Sequence, residues 1–179
     1  MNPELDESLI RDLAEPLVEQ LSPAESGELF ALLSEAHFAA PEAYAHQTGR
    51  PGPLAFGLPE LTVLMTPVLL AAATEVVKYV ARAAAASGAK PTSRLIRRMF
   101  GLGRKPGDAA TSGEPPAQQP SGAQPPGADE QPLVLTAAQW AEIRDIVEQV
   151  ALRGGADASQ AQLVADAVVG RAALTGGIG

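Results

Sequence analysis

Between Arg104 and Pro132 the chain holds seven prolines and four glycines in 29 residues, with no aliphatic side chain larger than alanine. A stretch of this kind cannot bury enough apolar surface to offset the entropy of ordering it, so the sequence predicts a disordered linker over 104–132. Its ends would sit roughly 30 Å apart as a flexible chain. It lacks PxxP spacing, which leaves an SH3-ligand role without support and makes a tether the simpler expectation. Whatever folds must therefore do so on either side, as a module over 1–103 and a shorter one over 133–179.

The shorter module reads as two helices. Thr136 is placed to cap the first, with Gln139 at N3 to complete a capping box and Leu135 to staple against Trp140. Trp140, Ile143, Val147 and Val150 then recur at three and four residues, which puts them on one face. Gly154-Gly155 ends this helix, and Asp157 with Gln160 opens a second that carries Leu163, Val164 and Val168. Some 40 residues without disulfides or metal rarely fold alone. The apolar faces of this αα-hairpin must be covered by the N-terminal module, by a second copy or by another protein. Trp140, Ile143, Val147, Val150, Leu163, Val164 and Val168 are the expected contact residues.

The N-terminal module also reads as helical. Asn2-Pro3 is a helix start followed by Leu5, Leu9, Leu13 and Leu17, with Pro16 expected to bend or end the helix. Ser22-Pro23-Ala24-Glu25 is a stronger start, for a helix bearing Leu29, Phe30, Leu32, Leu33 and Phe38 and stopped by Pro41. A glycine- and proline-rich loop follows over 48–57. Leu61 to Thr74 is then free of charge, and the apolar character continues past Val80, with a kink expected at Pro67.

Charge is segregated along the chain. Residues 1–75 carry twelve acids against two bases, a net of −10, whereas 76–105 carry eight bases and no acid. The remainder returns to −6, so the overall −8 conceals a basic island of Lys78, Arg82, Lys90, Arg94, Arg97, Arg98, Arg104 and Lys105. Acids of the first helices are expected to neutralise part of this island within the fold. What they leave free is expected to meet an anionic surface, either a membrane or an acidic partner. The uncharged run is too short for a comfortable membrane span and suits a core helix. Extended to 61–80 by pairing Glu75 with Lys78, it remains an alternative membrane-inserting or membrane-docking segment, anchored by bases 78–105 at the cytoplasmic lipid surface. Arg94 to Phe100 alternates cationic and bulky apolar residues, as interfacial segments do.

Catalytic and cofactor motifs are absent from this sequence. Cysteine is missing, which excludes disulfides, thiolate metal sites and a cysteine nucleophile. His37 and His46 form no metal-ligand spacing and are expected on helix surfaces. Gly101-Leu102-Gly103 fails the phosphate-loop spacing and reads as a turn. Nucleic acid is a poor expectation for so acidic a chain. Glu4, Asp6 and Glu7 stand where a secretory signal needs positive charge, so cytoplasmic residence is expected, with the inner membrane face as the alternative. The scarcity of lysine beside abundant alanine, glycine and proline fits a high-GC bacterial proteome. The expected whole is an all-α, non-enzymatic adaptor with no cofactor, which acts through protein–protein contacts.

Overall fold

A computed structural model of the chain describes residues 6–40, 64–102 and 133–174, and every regular element among them is helical. Six α-helices appear among the described residues: α1 (Glu7–Leu21), α2 (Glu28–Ala39), α3 (Met65–Ala86), α4 (Ser93–Met99), α5 (Ala137–Arg153) and α6 (Ala158–Leu174). A short 3-10 turn (Pro23–Glu25) joins the first two. The predicted linker over 104–132, the loop at 48–57, the Asn2-Pro3 start, His46, Arg104 and Lys105 lie outside the described residues.

α1 begins at Asp6, whose carboxylate accepts the Leu9 amide at 3.1 Å. Pro16 sits inside this helix without ending it. Proline removes one backbone hydrogen bond, but Leu13 and Ala14 before it and Leu17 and Val18 after it are all buried on the same stripe. Packing on both sides of the proline holds the helix through it. Ser22, by contrast, opens only the 3-10 turn, and α2 starts later, after Gly27 at φ 70°. The start expected at Ser22 fails because the Glu25 carboxylate is engaged elsewhere.

Glu25 is 7% exposed, and its two carboxylate oxygens accept the amides of Met65 at 2.9 Å and Thr66 at 2.8 Å. The side chain thus caps α3 across some 40 residues of sequence, while Ser22 donates to it at 2.8 Å. Because α3 starts at Met65, Pro67 falls in its first turn, where no intrahelical donor is required. The expected kink site is therefore part of a helix start. Twelve residues of α3 are buried, from Thr66 to Ala84, which makes it the central helix, packed against α1, α2 and α5. Its far end closes at Gly88, at φ 78°, with Ala89 donating to the Ala84 carbonyl and Gly88 to that of Ala85.

α5 and α6 start as their sequences predict. Thr136 and Gln139 form a reciprocal capping box on α5, and Asp157 and Gln160 exchange the same pair of bonds at 3.2 and 2.8 Å on α6. The two helices pack along each other and are tied by an Arg144–Asp166 ion pair at 2.7 Å. Their turn lies close against the start of α3: a Cβ on Gly154 would come within 2.7 Å of Val68 Cγ2. Small residues Ala151, Ala156 and Ala161 fill the same contact. The main apolar cluster joins Leu9, Leu13 and Leu17 of α1, Leu69 to Val80 of α3, Ile96 and Phe100 around α4, and Trp140, Ile143 and Val164 of α5 and α6.

Candidate functional site

Six of the seven expected contact residues face inward. Trp140, Ile143, Val147, Val150, Val164 and Val168 are buried in the main cluster, and Leu163 alone is exposed, at 57%. Of the three coverings open at the sequence level, the chain's own N-terminal helices supply one. Trp140 and Phe100 pack edge to face, with ring centroids 6.0 Å apart at 79°. Tyr79 on α3 donates to Glu142 on α5 at 2.7 Å. Its burial, together with the neighbouring carboxylate, pushes the phenol up to about 12, so the hydroxyl stays a donor.

The basic island separates into neutralised and free members. Lys78 pairs with Glu75 at 2.9 Å, as the i, i+3 spacing predicts. Arg97 reaches α1, where it pairs with Asp12 at 2.8 Å and donates to Ser8 at 2.8 Å. Ser93 donates to Asp6 at 2.5 Å. This bond holds the Asp6 carboxyl below its ordinary range, helped by the Ser8 hydroxyl, the Leu9 amide and the charge of Arg97, against a smaller opposing effect of burial. The acidic N-terminal helix thus consumes one flank of the island. Arg82 donates to the Lys78 carbonyl at 3.3 Å but has no counter-ion among the described residues. Lys90, Arg94 and Arg98 are exposed and likewise lack one.

α4 explains that division. Its apolar members Leu95, Ile96 and Met99, with Phe100 at its cap, are buried, so the outward positions fall to Arg94 and Arg98, four residues apart on one face. Thr92 caps the start at 3.2 Å, and Gly101 at φ 67° closes the end, with Leu102 donating to the Arg97 carbonyl. The alternation read as interfacial therefore packs its apolar half into the core. No helix among the described residues is long and apolar enough to cross a membrane.

Three features escape the sequence reading. His37 is 7% exposed rather than on the surface, and burial lowers its pKa from the ordinary value. The i, i+3 and i, i+4 pattern of Phe30, Leu33, Ser34 and His37 marks the inward face of α2, a signal that was present but subtle beside the neighbouring leucines. Leu29 and Leu32 point outward on the same helix, Leu32 at 63% exposure. Glu25 as a long-range cap has no local signal at all. Among the described residues no group of three or more His, Asp or Glu is placed to hold a metal ion. No protein-family model, curated protein or solved structure matches the chain.

Proposed function

We propose that the chain is a non-enzymatic adaptor that works through protein–protein contacts of its helical surfaces. The observation that supports this is a set of exposed bases, Arg82, Lys90, Arg94 and Arg98, without counter-ions among the described residues, in a chain whose net charge is −8. Carboxylates of α1 neutralise Arg97 next to them, so the free bases are a feature of the surface and not of a shortage of acids. In this reading residues 133–179 form the hairpin at the end of the 104–132 tether and dock on their own module. Its outward side, with Leu163, is then what a further protein or a second copy would meet.

The test places a photoreactive side chain at exposed Ala86 near the free bases, at Leu163 on α6, and at exposed Gln20 as a control. An adaptor captures a defined protein from Ala86 and a different one from Leu163, each competed by excess untagged chain. Capture no greater than at Gln20 from both positions refutes the reading.

A further inference from the structure

Resting on that adaptor reading, we infer that the outer face of α4 is a docking ridge for an acidic protein segment. Arg94 and Arg98 lie about 6 Å apart by helical spacing, both exposed and both without a counter-ion among the described residues. Lys90 precedes them in the connection from α3. Guanidinium groups are planar forks that match carboxylates bidentately, so two of them one helical turn apart fit carboxylates that recur at the same interval on a partner helix.

The surroundings select among polyanions. A lipid surface is held either by apolar insertion or by many bases acting together. Here Leu95, Ile96, Met99 and Phe100 are buried and unavailable for insertion. The carboxylates of Asp6 and Asp12 bond to Ser93 and Arg97 of the same helix, so a broad anionic plane laid on α4 would also approach those acids. A narrow acidic segment can follow the Arg94–Arg98 line and avoid them. Single-stranded nucleic acid is held by stacking as well as charge, and the two aromatic rings that lie beside island residues in sequence are occupied: Phe100 packs on Trp140, and Tyr79 bonds to Glu142.

The experiment uses the full chain at low ionic strength, because surface attraction is screened beyond about 10 Å at 0.1 M salt. Fluorescein-labelled oligoglutamate is titrated by anisotropy, beside sedimentation with phosphatidylserine–phosphatidylcholine vesicles and a titration with single-stranded oligouridylate. Oligoglutamate should bind, and the paired Arg94→Gln, Arg98→Gln variant should bind about tenfold more weakly, as expected for the loss of two exposed charge pairs. Arg153→Gln, which removes an exposed base from the end of α5, should leave affinity nearly unchanged, and all variants should melt like the parent. Absence of oligoglutamate binding, or an equal loss in Arg153→Gln, overturns the proposal. So does binding of vesicles or oligouridylate that is at least as strong and is lost in the same paired variant. Failure here with capture still occurring at Leu163 and Ala86 rejects the acidic ridge alone and leaves the adaptor reading standing.

Discussion

Glu25 shows how much one side chain contributes to this structure. Its carboxylate holds two amides of a helix that begins 40 residues later, in a setting almost closed to water. Hydrogen bonds to a charged acceptor contribute about 1.5–3 kcal/mol, and an amide left without a partner costs about 1–3 kcal/mol. Glu25→Ala should therefore lower the unfolding free energy by about 3 kcal/mol in urea titrations, and Glu25→Gln, which keeps one acceptor, by less. A loss below about 1 kcal/mol for the alanine variant would show that the start of α3 does not depend on this cap. His37 makes a different residue-scale prediction. Burial favours its neutral form, so its folded pKa lies below the ordinary value of 6.5. As pH falls through that value the unfolded chain takes up a proton that the fold resists. Stability is thus full above pH 6.5 and declines toward the folded pKa, with a slope of at most about 1.4 kcal/mol per pH unit. The depressed carboxyl of Asp6 acts in the same direction at lower pH, below its ordinary 3.8. His37→Gln should flatten the upper part of the profile, and an unchanged slope in that variant would assign the effect to another group.

At the scale of elements, the contact between the start of α3 and the α5–α6 turn sets how closely the two halves approach. Gly154 has an ordinary helical φ of −73°, so glycine is needed there for space and not for backbone freedom. A methyl at this position would press on the β-branched, stiff Val68 side chain. Gly154→Ala should cost about 1–3 kcal/mol, in the range of other overpacked contacts. Combining it with Val68→Ala should give a loss smaller than the sum of the two single variants, read from a double-mutant cycle of melting data. Additive losses would mean that the turn relaxes away from α3. Helix limits were legible at Thr136, Asp157 and Gly154-Gly155, where the capping boxes and the glycine stop formed between near neighbours in sequence, whereas the equally local caps at Asp6 and Thr92 were not read. The limits were not legible at Ser22, where Glu25 was drawn to a distant helix, nor at Pro67, whose position relative to the start of α3 was fixed by that same glutamate.

The whole molecule is joined by an apolar cluster that runs from α1 through α3 to α5 and α6. Trp140, the sole tryptophan, is buried within it at 3% exposure, so its fluorescence reports on contact between the N-terminal helices and residues 133–174. Urea unfolding followed by this fluorescence and by far-ultraviolet circular dichroism should give coincident transitions. A fragment of residues 133–179 should be poorly helical alone and gain helix when residues 1–103 are added. Separated transitions, or a fragment that melts cooperatively as a monomer, would mean that the two parts fold independently.

By itself the sequence determined the helical class, the inward stripes of α1 and α5, the Gly154-Gly155 stop and the segregation of charge, because periodicity, capping and net charge are short-range properties written in neighbouring residues. Only the tertiary structure decided what those stripes meet and which bases stay free. Burial of Trp140 and Val164 against α3 and its neighbours, and the pairing of Arg97 with Asp12, join residues far apart along the chain. Such contacts depend on where helices come to rest, and no local pattern specifies that. The same placement turned α4 so that Leu95, Ile96 and Met99 enter the core, which leaves Arg94 and Arg98 as the face the molecule presents.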